Sequence, residues 1–311
     1  MECAAAVMLG RPICIPDQEV DAEYPSGIDD WGMLENAAVP PPDPTASMQM
    51  AIHGFRFRRL LGRIHTSLYS NKALEDAAAH SQSAYAWDLR AELETWRASV
   101  PPILTLKGQA LSFFTTSDGF NTDYYYAVLL LCRVQIIDCK GEATSGAFLE
   151  CVQAAVNILR AYRGQFIGKP TCYTWGALHE LFLAGLTYLH CLWTSADARR
   201  ATRPDQVSSN CTDCTVVLAI MAERWDVAAP YRDIFEALAG HTMTMMTDKE
   251  HERPTLLGSL TESGDQDVES MMRWRARIPD MEISSGIDIL LTSLIGDMPS
   301  ETQAVANEGS W

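Results

Sequence analysis

Apolar residues recur at spacings of three to five along most of the chain, and that rhythm predicts helices. From Ala46 to about Ser70 the apolar series is Met48, Ile52, Phe55, Leu60, Ile64 and Leu68. A second helix is expected from a cap at Ser83 to Ser99, with Trp87, Leu89, Leu93 and Trp96 as its apolar side and Pro101-Pro102 as its stop. Between Asn121 and Cys139, Tyr125, Val128, Leu129, Cys132 and Ile136 share one face. Phe148, Val152, Ala155, Val156, Leu159 and Tyr162 make the next, which runs to Gly164. Cys172 to about Ser195 is apolar nearly all round, as befits a helix in the middle of a bundle. Val216, Val217, Ile220, Met221 and Trp225 predict a shorter helix. Pro230 suits the first turn of a last one, with Tyr231, Ile234, Phe235 and Leu238 facing inward. No segment alternates as a half-buried strand would. The expected class is all-α: an irregular multi-helix bundle of about seven helices around a nearly fully apolar central one.

Both flanks break the pattern. Residues 1–46 read as loop after a short apolar start, because Pro12, Pro16, Pro25 and the Pro40-Pro41-Pro42-x-Pro44 run exclude long helices. Residues 47–246 form the expected helical domain. Residues 247–311 hold short apolar clusters among acidic residues (Asp280, Glu282, Asp288 and Asp297), which predicts a largely disordered acidic tail with one short helix near Ile287-Asp-Ile-Leu-Leu291, Leu294 and Ile295.

Charge narrows the function. The chain carries 24 basic and 40 acidic residues, a formal net charge of -16. Nucleic-acid binding relies on cations that displace counterions from phosphates. The densest basic candidates are Arg56, Arg58 and Arg59 with Arg63, and Arg273, Arg275 and Arg277. Both clusters are short, and the first spreads its arginines over more than one face of a helix. No direct DNA contact is expected. Gly176 to Trp193 comes nearest to a membrane span, but His179, Glu180 and His190 interrupt it. Glu2 and the lack of basic residues ahead of an apolar run argue against a signal peptide.

Candidate chemistry is sparse. Of nine cysteines only Cys211-Thr-Asp-Cys214 has ligand-like spacing, and one such pair supplies two of the four ligands that structural zinc needs. It reads as a loop and helix start in which cysteine is incidental. His179 and His190 stand eleven residues apart, roughly 16 Å of helical rise, too far to share a metal. Each imidazole is expected to bond a neighbour inside the bundle, and His65 to be a partly buried surface residue. Asp29, Asp30 and Glu35 sit between glycines in a loop, a poor magnesium site. Arg11 is expected to pair with Asp17 or Asp21. The tryptophans Trp87, Trp96, Trp175, Trp193 and Trp225 read as core. No nucleophile elbow, phosphate loop, dinucleotide fingerprint or His-Glu-x-x-His occurs. No catalytic residue, cofactor or metal site is assigned.

One segment carries a resemblance. Leu9-Gly10-Arg11-Pro12-x-x-Ile15-x-Asp17-x-x-Val20-Asp21-x-x-Tyr24-Pro25 resembles the loop that closes the first half of the regulatory region in fungal binuclear zinc-cluster transcription factors. The resemblance continues in order to about residue 240. Arg56 to Tyr69 is similar to the family's Leu/Ile-striped helix, and Leu93-x-x-Trp96 to its Leu-x-x-Trp element. Asp123 to Arg133 is similar to its Tyr- and Leu-rich helix, and Val217 to Trp225 with Pro230-Tyr-Arg232 to its closing helices. The zinc cluster and the helices that normally precede Leu9 have no counterpart, so an apolar surface that wants a partner is expected.

The resemblance implies a nuclear transcription regulator of a metabolic or secondary-metabolite gene cluster. It would act through protein partners or a homodimer, with an acidic tail serving for activation. Such regulatory domains imply a small-molecule effector, and Tyr188, His190 and Trp193 on the central helix are its candidate lining. The alternative is a cofactor-free helical cyclase or isomerase built on the same scaffold.

Overall fold

The computed structural model describes residues 2–26, 46–69, 79–101, 117–137, 145–166 and 174–248, with Ile287, Leu290, Leu291 and Leu294. The described residues are helical or irregular, with no strand among them. The chain divides into two compact units, Met1–Gly141 and Glu142–Trp311, a boundary that falls inside the stretch expected as one helical domain over 47–246.

The first unit holds α1 (Glu2–Leu9), α2 (Ala46–Leu68), α3 (Ala79–Ala98) and α4 (Ser117–Ile137). Helix α1 lies where only a short apolar start was expected. It ends at Gly10, whose φ of 63° is one that a glycine adopts without strain. Gly10 N–H then donates to Val7 O (3.2 Å) and Arg11 N–H to Ala6 O (2.9 Å), closing the last turn as a Schellman motif. Helix α2 is the spine of the unit. It packs on α1, α3 and α4, and buries Phe57, Leu60, Leu61, Ile64 and Leu68. Helix α3 starts earlier than a Ser83 cap would place it, and it buries Leu89, Leu93 and Trp96. Trp87 is 73% exposed, because two residues before Leu89 is the opposite side of a helix. The Trp96 indole donates to His53 O (3.0 Å) and its ring stacks on the His53 imidazole at 4.5 Å.

The second unit holds α5 (Ser145–Phe166), α6 (Trp175–Thr194), α7 (Ala196–Ala201), α8 (Pro204–Arg224) and α9 (Ala229–Asp248). Helix α6 is its axis, and every residue from Ala177 to Leu192 is buried. Thr174 caps the start, its hydroxyl accepting from Ala177 N–H. Ser195 closes α6 through its own N–H and caps α7 with its side chain. Helices α5, α7, α8 and α9 pack against α6. Gly185 makes room: a Cβ there would stand 2.6 Å from Phe235 Cε2 and 3.0 Å from Cys214 Sγ. Helix α8 is longer than the apolar series from Val216 predicted, since Val207, Asn210, Cys211 and Cys214 extend its buried face toward the N-terminus. Within the C-terminal stretch, Ile287, Leu290, Leu291 and Leu294 are helical and buried, a three-four-seven stripe that belongs to a core.

Candidate functional site

The motif at residues 9–25 folds as a strap across α2. After the Gly10 turn the strap runs extended, with one 3-10 turn at Asp17–Glu19. Three contacts tie it down. The His65 Nε2 donates to Arg11 O at 3.0 Å, and Cys14 N–H donates to Glu2 Oε1 of α1 at 2.8 Å, while α1 itself is held to α2 by Cys3 Sγ donating to Arg58 O at 3.2 Å. The third is a fork: Arg59 Nε donates to Asp17 Oδ1 at 2.5 Å and its Nη2 to Asp17 Oδ2 at 3.0 Å, while Nη1 reaches the Tyr24 hydroxyl at 3.2 Å. These bonds, Asp17 first, hold the Arg59 guanidinium charged more firmly than usual. Gly62 lets strap and helix close up, since a Cβ there would meet Cys3 Sγ at 3.1 Å and Ile13 Cδ1 at 3.3 Å.

Two expectations about this region are overturned. Asp17 pairs with Arg59 of α2, not with Arg11, because the strap turns its carboxylate across the helix. His65 is 6% exposed rather than a surface residue, and burial lowers its pKa against the opposing bond to Arg11 O.

The arginines of α2 are largely spent on intramolecular partners. Arg58 pairs with Asp123 (3.6 Å), Arg59 with Asp17, and Arg63 with Glu92 (2.6 Å). Two cavities flank the Asp17–Arg59–Tyr24 contact. One, of about 420 Å³, lies between the strap and α2, and the other, of about 350 Å³, lies between α2 and α3.

Chains similar to this one share a description. A positive regulator of purine utilization from Emericella nidulans is 23% identical over 280 residues, covering 76% of this chain and 26% of its own length. The transcriptional activator protein acu-15 of Neurospora crassa is 26% identical over 167 residues, 51% of this chain and 18% of its own. The pyrimidine pathway regulatory protein 1 of Saccharomyces cerevisiae is 24% identical over 189 residues, 58% of this chain and 20% of its own. The chain is homologous to part of the fungal transcription regulators. It spans about a fifth to a quarter of the length of these relatives. No protein-family model and no solved structure matches it.

In this regulator relative the other sequence candidates fall in the second unit. Tyr188 and His190 are buried two residues apart on α6 and so project from different faces. The Tyr188 hydroxyl accepts from Asn210 Nδ2 at 3.1 Å, and the Trp193 indole donates to Thr242 Oγ1 at 2.9 Å. None of the three lines either cavity beside the strap. His179 stacks on Trp175 at 4.9 Å, and its neighbour Glu180 accepts from the Tyr162 hydroxyl at 2.6 Å. Cys211 and Cys214 sit in the middle of α8, not at a helix start. Burial pushes the Cys211 thiol up to about 12 and Cys214 well above its usual range, so both behave as small apolar residues. Among the described residues no group of three or more His, Cys, Asp or Glu is arranged to hold a metal, and no helix is long and apolar enough to cross a membrane. Asp29, Asp30, Glu35, Arg273, Arg275 and Arg277 lie outside the described residues.

The functional signal that spacing did not reveal is the pairing of strap and helix. Asp17 and Arg59 are 42 residues apart, and neither sits in a spacing that points to the other.

Proposed function

We propose that this chain forms the helical regulatory part of a nuclear transcription regulator that controls a metabolic gene cluster. The observation that carries the reading is homology to regulators of purine utilization and of a pyrimidine pathway, covering 76% and 58% of this chain. The chain works through protein partners or a second copy of itself. It makes no DNA contact through α2, and the support for that is electrostatic: Arg58, Arg59 and Arg63 are each matched by a carboxylate, in a chain of net charge -16. It performs no catalysis. Deleting its gene and sequencing transcripts tests the reading. Loss of transcripts from a set of metabolic genes is the expected result. Unchanged transcripts with an accumulated biosynthetic intermediate would sink it in favour of a helical cyclase or isomerase.

A further inference from the structure

The two cavities beside the strap share a wall. Asp17, Tyr24, Arg59 and Arg63 line both. On one side apolar side chains, Ile13, Ile15, Val20 and Phe55, share the lining with Glu23, Arg58 and Thr66; of the apolar ones Ile15, Val20 and Phe55 are 62%, 45% and 47% exposed. Apolar surface clustered at the mouth of a 420 Å³ cavity gains by being covered. On the other side three guanidiniums, from Arg56, Arg59 and Arg63, face two carboxylates, Asp17 and Glu92. Arg59 and Arg63 are matched by those carboxylates. Arg56 is the surplus cation, and no described carboxylate pairs with it. Its guanidinium lies 5.8 Å from the centre of the Tyr24 ring, at the shared wall. The Tyr24 hydroxyl accepts from Arg59, which leaves its own hydrogen to donate, and no described residue takes it. An arginine and a phenol donor therefore converge beside an open apolar chamber, on a strongly acidic protein where a surplus positive spot is the exception.

We propose that this cleft is a binding site for a small amphipathic carboxylate. The apolar body occupies the chamber between the strap and Phe55. The carboxylate lies at the wall, on the Arg56 guanidinium and the Tyr24 hydroxyl. Thr95 and Ser99, whose hydroxyls donate to Ala91 O and Trp96 O of their own helix, offer only oxygen acceptors to that region and suit hydroxyl or amide substituents on the ligand. Charge selects the occupant: an apolar peptide segment would fill the chamber and leave Arg56 unmatched. The proposal does not rest on the transcriptional reading.

Calorimetric titration of the full chain with 2-naphthoate, and with its uncharged counterpart 2-naphthalenemethanol, tests it. Saturable one-site binding of the acid is expected, with the alcohol about ten-fold weaker, the size of effect a charge-assisted bond at a part-exposed site supplies. Arg56→Gln brings the acid down to the alcohol and leaves the alcohol unchanged. Phe55→Ser, at an exposed position, weakens both. The proposal is overturned by absence of saturable binding (the result if another segment or a second copy fills the chamber), by equal affinity for acid and alcohol, by indifference to Arg56→Gln, or by indifference to Phe55→Ser.

Discussion

The two units are held together in different ways. Around α6 the second unit is dense and nearly all apolar. Buried hydrogen bonds tie polar groups into it, such as Tyr188 to Asn210 and Tyr162 to Glu180. The first unit has a smaller aromatic core around Trp96, and it adds a strap fastened by an exposed ion pair, Asp17 to Arg59, and by a part-buried bond from His65 to Arg11 O. Apolar burial tolerates little change of volume, whereas exposed ion pairs contribute little stability each. The second unit is thus the more tightly packed, and the first carries a strap held by weaker bonds.

That contrast can be broken at Gly185. Gly185→Val would drive side-chain atoms into Phe235 and Cys214, both fully buried, and is expected to cost about 3 kcal/mol or more. Chemical denaturation measures it, and a loss under 1 kcal/mol (about a tenth of a typical domain's stability) would mean that α6 is not tightly packed.

The aromatic core of the first unit gives the next effect. Burial pushes Asp123 up to about 6, against the Arg58 guanidinium 3.6 Å away. Burial, then the charge of Arg56, pushes His53 down to about 4. The folded state holds a proton on Asp123 that the unfolded chain releases, so this contribution is full below about pH 4 and lost as pH rises through about 6. His53 acts in the opposite sense. The unfolded chain takes up its proton below about pH 6.5 and the folded chain does so only near 4, so stability is lost on acidification across that window. The two offset each other between pH 4 and 6. Relative to the parent chain, Asp123→Asn should lose up to about 3 kcal/mol more on going from pH 6.5 to 4, and His53→Phe should lose less by a similar amount. Parallel pH profiles for parent and variants would refute the pairing of burial with charge at either residue.

At the strap the expected effects are smaller and local. Gly62→Val crowds Cys3 and Ile13 and should loosen residues 2–26 by about 1–2 kcal/mol, read as faster hydrogen exchange there with α6 unchanged. Asp17→Asn weakens a fork whose arginine side chain is 45% exposed. It should cost at most about 1 kcal/mol, less at high salt, in the same exchange measurement. Equal protection in parent and variant at low salt would show that the fork does not fasten the strap.

How far the sequence could be read follows the same division. Helix α6 was legible because a run apolar nearly all round has one sensible place in a bundle. The α2 pattern likewise gave its span. Helix α1 was hidden by the prolines that follow it, although Gly10-x-Pro12 marks its stop. Helix α8 was read short because Asn210, Cys211 and Cys214 lie among Ser208, Ser209, Thr212 and Asp213, which dilute its apolar face. Trp87 was placed inward by residue type against its helical angle. Of the strap, the motif was visible and its clasp was not. Asp17 pairs across 42 residues, and a long-range ion pair leaves no periodic trace. The apolar stripe at Ile287, Leu290, Leu291 and Leu294 was visible as a short helix, but the acidic residues around it suggested exposure where these four are buried.

The most direct test of the central claim, that the arginine-rich helix of a transcription regulator serves an internal clasp and not DNA, is a charge swap read on target transcripts. Asp17→Arg and Arg59→Asp are each expected to lower them, and the double variant to restore them, because the clasp re-forms with its charges reversed. If Arg59→Asp lowers the transcripts and the added Asp17→Arg brings none of them back, Arg59 acts outward and the clasp is not its function.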